Sequence, residues 1–128
     1  MKPTLTRHLV FTAAIALLAL TAAPSGAALG HWDRITFSGP VALPGVVLPA
    51  GSYTFEIANP ESSQRVVRVS RRDTGQVYFA GFTRMVPRPL DLPADRVVTL
   101  GEAPRGLATP IQVWYPSGSS QGHRFIYR

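Results

Sequence analysis

The chain has no cysteine, and Lys2 is its only lysine in 128 residues. Without cysteine no disulfide can stabilise the fold, although an oxidising compartment would permit one. A lipoprotein anchor is excluded too, because lipidation requires a cysteine. Helical signals are also missing, since no window beyond residue 28 combines a helical hydrophobic period with caps. The folded part must therefore be stable on one hydrophobic core built from strands.

Residues 1–28 have the three parts of a secretory signal peptide. A basic start that includes Lys2 precedes an apolar run over residues 9–23, and small residues follow. They predict cleavage after Ala27 or Ala28. The apolar run is shorter than the roughly 20 residues that a membrane-spanning helix needs. We therefore expect an exported protein, secreted or periplasmic, with no stable membrane anchor after cleavage.

The exported part carries no lysine, and its eleven arginines face seven acidic residues, a formal charge of +4. Such a modest excess, together with export, argues against a nucleic-acid partner. The densest basic group includes Arg65 and Arg68 and ends at Arg71 and Arg72. One interpretation is that these arginines lie on a solvent-exposed strand and turn and bind no partner. An anionic partner, such as an envelope polysaccharide or a lipid headgroup, is the alternative.

Ten prolines and ten glycines separate short apolar runs beyond residue 28. These runs alternate or are rich in β-branched and aromatic residues, which favours strands. The predicted strands are Arg34–Ser38, Val46–Leu48, Ser52–Ala58, Arg65–Ser70, Gln76–Thr83, Arg96–Leu100, Ile111–Tyr115 and His123–Tyr127. Their spacing predicts one all-β domain over residues 29–128, a single antiparallel β-sandwich or flattened barrel of about seven to eight short strands.

Two turns have a chemical basis. Pro49 presets φ in the turn before Gly51, which is expected to close a type I hairpin turn that joins the strand Val46–Leu48 to the strand Ser52–Ala58. Asp73 and Gly75 predict a hairpin, because Asp bonds its own backbone and Gly accepts a positive φ.

Three segments carry a family resemblance: Leu48–Phe55 (LPAGSYTF), Trp114–Pro116 (WYP) and Gly122–Tyr127 (GHRFIY). In this order they resemble an uncharacterised family of small exported bacterial β-rich proteins, over nearly all of residues 29–128. The first segment is also similar to the strand-turn-strand of prealbumin-like and carboxypeptidase-regulatory-like β-sandwich modules. The resemblance implies export and a β fold, and it implies no catalytic residue.

Reactive motifs are few. Ser120 lies in a Gly-x-Ser-x-Gly segment, but a nucleophile elbow needs a following helix that this position cannot supply. His31, His123 and Asp33 could meet as metal ligands only if distant strands bring them together, and no local spacing motif supports a zinc site. We therefore predict no catalytic residue, no metal site and no cofactor.

Aromatic side chains offer the better candidates for binding. Trp114 and Tyr115 are consecutive, so in a strand they point to opposite faces, and we expect one to be buried and the other exposed. An exposed aromatic beside an arginine could stack on a sugar or anchor a protein. The candidate contacts are Trp114, Tyr115, Arg68 and His123. The competing interpretation makes Trp114 the large core residue.

These observations favour a non-enzymatic exported protein that binds or supports a component of the cell envelope or extracellular space. Its partner would be an envelope or extracellular protein or a polysaccharide. The second hypothesis is a carbohydrate- or ligand-binding module that uses exposed aromatics and arginines. A small hydrolase is the third.

Overall fold

A computed structural model describes residues 32–128 of the chain. The predicted signal peptide, its cleavage site at Ala27 or Ala28, and His31 lie outside the described residues. The described part contains no helix, hence none long and apolar enough to cross a membrane. Its nine strands are β1 (Trp32–Phe37), β2 (Val41–Leu43), β3 (Val46–Leu48), β4 (Gly51–Asn59), β5 (Ser63–Arg71), β6 (Val77–Pro87), β7 (Val98–Leu100), β8 (Thr109–Trp114) and β9 (Gln121–Phe125).

The strands form one open sheet in the order β1-β4-β5-β6-β9-β8-β2-β3, and β7 pairs with β8. All pairs are antiparallel except β2 with β8. The prediction of an all-β domain is confirmed, with nine strands where the sequence predicted seven to eight. The additional strand is β2, a three-residue segment between Pro40 and Pro44. Because β6 is eleven residues long, one part of it pairs with β5 and the other with β9.

The hairpin predicted around Asp73 and Gly75 is confirmed. Ser70 of β5 pairs with Val77 of β6, and Gly75 has a φ of 74°. The prediction for Gly51 is only partly right. Its turn connects β3 to β4, but these strands do not pair: β3 pairs with β2, and β4 pairs with β1 and β5.

Aromatic rings form the centre of the core. Tyr53, Phe55 and Ile57 point from β4 into it, as their alternation with polar residues predicts. The Phe55 ring lies 5.9 Å from the Trp114 ring of β8 and 6.5 Å from the Phe125 ring of β9. Neither strand is a neighbour of β4 in the sheet, so the sheet bends until its two halves meet across this core.

Candidate functional site

The two predicted aromatic contacts are both buried. Trp114 is fully inaccessible and Tyr115 is 6% exposed, so the expectation that one of them faces solvent is wrong. The interpretation of Trp114 as a core residue is correct. Tyr115 lies just after β8, where the guanidinium of Arg88 sits 5.4 Å from its ring centroid. Tyr115 also packs against Gly122, where an added Cβ would lie 2.4 Å from the ring.

His123 is buried as well, and its contacts are structural. Its ring stacks on Trp114 at a centroid distance of 5.3 Å. Its Nδ1 lies 3.2 Å from the hydroxyl of Thr83. That hydroxyl donates its proton to the carbonyl of Arg65, so it accepts from His123 Nδ1–H. His123 is therefore fixed between β9, β8 and β6.

Arg68 is the one predicted contact residue that reaches the surface. Its guanidinium pairs with the Glu56 carboxylate at 3.3 Å, and its side chain is 40% exposed. Arg71, three residues on, pairs with Asp73 at 3.0 Å. A hydrogen bond with Tyr78 and the charge of Asp73 raise the pKa of Arg71. Both arginines therefore already have partners within the fold.

The sequence analysis missed a buried carboxylate network. Asp33 of β1 accepts hydrogen bonds from the Trp114 indole N–H at 2.8 Å, the Ser117 amide at 3.1 Å and the Ser117 hydroxyl at 2.5 Å. The network joins the first described strand to the turn after β8. Asp33 is thus satisfied by neutral donors, and within residues 32–128 no group of three or more metal-ligating side chains exists. Asp33 lies more than 80 residues from Trp114 and Ser117 in the sequence, so no local pattern could indicate this network.

Ser120 of the Gly-x-Ser-x-Gly segment lies in the turn from β8 to β9. The strand-to-helix turn that a nucleophile elbow requires is therefore not formed here. Ser119 has its own structural role, because its hydroxyl accepts from the Gln121 amide at 3.2 Å.

The unexpected surface is the solvent side of β1, β4, β5, β6 and β9. Along each strand, side chains that point into the core alternate with side chains that point to solvent. The cross-strand register then places these outward residues side by side. We call this surface the arginine face; its prominent side chains are Trp32, Arg34, Glu56, Val66, Arg68, Phe82, Arg84 and Arg124.

Charge on the arginine face is strongly one-sided. It carries four arginines, and Glu56 is the acidic residue among the side chains that define it. The guanidinium of Arg34 lies 5.4 Å from the Trp32 ring centroid, a cation–π contact. Arg84 and Arg124 face each other directly across β6 and β9. Within residues 32–128, neither of these two forms an ion pair.

An open cleft of about 320 Å³ lies beside this arginine pair. Its lining includes Arg84 and Arg65 as charged residues, and Phe82 and Ile126 as exposed apolar ones. Phe82 is 69% exposed, which is unusual for a phenylalanine in a sheet, and Ile126 is 46% exposed. The cleft thus combines positive charge with exposed apolar groups, a combination suited to an anionic amphiphile.

A second cleft of about 460 Å³ lies between the β2–β3 hairpin and the loop before β8, and most of its surface is apolar. Tyr127 forms part of its wall, and its hydroxyl lies 2.5 Å from the Ile111 carbonyl and 3.0 Å from the Ala42 carbonyl. Burial raises the pKa of Tyr127 to about 12. Glu102 is the one charged side chain in this wall, so the cleft offers little to orient a polar ligand.

Alternation within single strands could have indicated part of the arginine face, because it places Arg68 and Arg84 on outward positions. The neighbouring position of Arg124 depends on β9 lying next to β6, which no local pattern reveals. Comparison of the chain with protein-family models, curated proteins and solved structures finds no match in any of the three.

Proposed function

We propose that this chain is an exported, non-enzymatic β-sandwich protein that binds an anionic component of the cell envelope or extracellular space through its arginine face. The observation that carries the proposal is the direct opposition of Arg84 and Arg124 on an exposed sheet surface. Two like charges in this position destabilise a sheet. An anion bound between them would offset that repulsion.

Export is supported by residues 1–28, whose basic, apolar and small-residue segments follow the signal-peptide pattern. A two-layer sandwich is supported by the ring contacts of Phe55 with Trp114 and Phe125, which join strands that are not sheet neighbours. The absence of an enzymatic role is supported by the partners of the polar side chains. Asp33 is engaged by neutral donors, and Glu56 and Asp73 are paired with arginines.

A carbohydrate-binding module is the second candidate, and exposed Trp32 favours it, since it is 42% accessible. The residues first expected to contact sugars, Trp114 and Tyr115, are buried, so this role would pass to Trp32 and Phe82. The Trp32 ring already has Arg34 beside it, which leaves less of the ring for a sugar. An anionic ligand held by arginines would use more of the residues on the arginine face than a sugar would.

Retention of purified residues 29–128 on immobilised dextran sulfate, with neutral dextran as the blank, tests the proposal. Wild type should bind, and its affinity should fall as salt rises. The double variant Arg84→Gln/Arg124→Gln should lower the salt dependence by about two contacts. The matched control is Arg96→Gln/Arg105→Gln, which removes two exposed arginines from the loops before β7 and β8 and should bind as wild type does.

Equal binding by the two double variants would assign the effect to net charge alone and overturn the role of the face. Failure of wild type to bind dextran sulfate at low salt would overturn the anionic ligand. Hydrolysis of an ester, glycan or peptide substrate that a single substitution abolishes would overturn the non-enzymatic assignment.

A further inference from the structure

We propose that the anionic partner of the arginine face is the surface of a phospholipid bilayer, with a headgroup phosphate held between Arg84 and Arg124. This inference rests on the proposed function and names the ligand class of the same surface. In this arrangement Phe82 and Ile126 enter the boundary between headgroups and acyl chains.

The first support is the chemistry of the cleft. Arg84 lines the cleft and faces Arg124 across the sheet, and neither has an acidic partner within residues 32–128. Guanidinium groups match phosphate oxygens in geometry and charge, and they bind them through paired hydrogen bonds. The cleft volume of about 320 Å³ leaves room for a phosphate between the side chains.

The second support is the apolar strip beside those arginines. Phe82 pairs across the sheet with Val66 and shares the cleft with Ile126. Phe82 and Ile126 are the exposed members of this strip, and Ile126 offers a sugar neither a hydrogen bond nor a ring to stack on. Their exposure is therefore poorly explained by a polysaccharide ligand and well explained by shallow insertion into lipid, where apolar side chains and cationic groups act together.

Trp32 and its neighbour Arg34 complete the pattern at the edge strand β1. Tryptophan favours the membrane–water interface because its ring is apolar and its N–H is polar. Arg34, Arg68, Arg84 and Arg124 place positive charge on four of the five strands of this face, β1, β5, β6 and β9. Opposite charge on an anionic leaflet therefore complements the whole face, not only the cleft.

Co-sedimentation of purified residues 29–128 with vesicles tests the inference. Vesicles of phosphatidylglycerol mixed with phosphatidylcholine should bind the protein, and vesicles of phosphatidylcholine alone should not. Each arginine near such a surface contributes about fivefold to affinity, so Arg84→Gln/Arg124→Gln should weaken binding by roughly 25-fold. The Arg96→Gln/Arg105→Gln control removes the same charge elsewhere and should change binding by less than about twofold.

A separate variant tests whether apolar side chains contribute to vesicle binding. Phe82→Ser should weaken vesicle binding by roughly tenfold, because it removes one large apolar side chain from the lipid boundary. Its effect on dextran sulfate retention should be small, since that polymer has no apolar layer. Leu107→Ser, which changes a similarly exposed residue outside the face, is the matched control. Far-UV circular dichroism and melting curves exclude unfolding of either variant.

The outcomes separate this inference from the proposed function. If dextran sulfate binds and anionic vesicles do not, the ligand is an acidic polymer: the lipid inference is wrong and the proposed function stands. If neither binds, both are wrong. If vesicles bind equally well to wild type and Phe82→Ser, the protein does not insert and the lipid docking mode is overturned.

Discussion

Arg84 and Arg124 lie directly opposite each other on β6 and β9, on the solvent side of the sheet. Within residues 32–128 neither has an acidic partner to offset the repulsion between them. Opposite charges across two strands stabilise a sheet, and like charges destabilise it. The pair therefore reduces the stability of the free protein in favour of a surface able to hold an anion.

Reversing one of these charges should stabilise the fold and impair binding at the same time. Arg124→Glu places a carboxylate opposite Arg84, so the free energy of unfolding should rise by about 0.5–1 kcal/mol. Urea denaturation measures this change. Dextran sulfate retention of the same variant should fall. Arg105→Glu, in the loop before β8, makes the same charge change and should alter stability by less than about 0.5 kcal/mol. A less stable Arg124→Glu would show that Arg124 has a structural partner.

Removing the Asp33 carboxylate should strongly destabilise the domain. Asp33→Ala leaves the Trp114 indole N–H and the Ser117 hydroxyl without their acceptor. The Trp114 indole N–H is fully buried, whereas the exposed Ser117 can bond water instead, so we expect a loss of about 2 kcal/mol in unfolding free energy. Ser117→Ala removes a donor and leaves the carboxylate paired with the indole, so about 1 kcal/mol should be lost. If Asp33→Ala and Ser117→Ala lost the same free energy of unfolding, the larger contribution assigned to the Trp114–Asp33 hydrogen bond would be wrong.

Gly122 should tolerate no side chain, for reasons of space alone. A Cβ at this position would lie 2.4 Å from the Tyr115 ring and 2.9 Å from Val113. Gly122→Ala should therefore cost about 2 kcal/mol through overpacking. Gly39 has nothing within 4 Å of the equivalent position, so Gly39→Ala should leave the melting temperature nearly unchanged. A stable Gly122→Ala variant would mean that Tyr115 moves freely, contrary to its packing under Arg88.

Alkaline pH should destabilise the domain through Tyr127. Its pKa is raised to about 12 in the folded chain, above the ordinary value of 10.0. The folded state thus holds the phenolic proton more tightly than the unfolded state. The stability that this provides is fully present below pH about 10 and is lost as the pH rises towards 12.

Tyr127→Phe should make the alkaline loss of stability smaller, as shown by urea unfolding at pH 8 and pH 11. Burial also raises the pKa of Tyr53, so part of the loss should remain in the variant. At pH 8 the variant should itself be about 1 kcal/mol less stable, because the hydrogen bond to the Ile111 carbonyl is missing. An unchanged pH dependence would show that Tyr127 titrates normally.

Cleavage of the signal peptide would leave the exported chain with a single amine. No lysine follows Lys2, so only the new α-amino group can react with an amine-directed reagent. Protein recovered from the periplasm or medium should take up one label per molecule at Ala28 or Leu29, as peptide mass spectrometry can show. Labelling at Lys2 in the exported protein would contradict cleavage.

Local sequence chemistry predicted those parts of the fold that depend on near neighbours. The alternation of Tyr53 and Phe55 with polar residues identified the buried face of β4, and Asp73 and Gly75 identified the β5–β6 hairpin. Prediction from the sequence failed where burial depends on segments that are distant in the chain. Tyr115 points away from the core but is covered by Arg88 from another loop, and strand alternation contains no information about such a cover.

The binding surface shows the same limit. Arg68 was a candidate from its local cluster, yet it pairs with Glu56 and is only one part of a larger face. Arg84, Arg124 and Phe82 become neighbours only because β9 inserts beside β6. That position is a property of the sheet order, so these residues could be found only after the strands were placed.

The position of β9 also sets the order in which the domain can assemble. The last strand in sequence occupies the middle of the sheet, between β6 and β8. Neither half of the sheet can join the other until residues 121–125 are present. Pairings between distant segments make folding slow. A chain with this topology cannot complete its sheet before residues 121–125 have been synthesised.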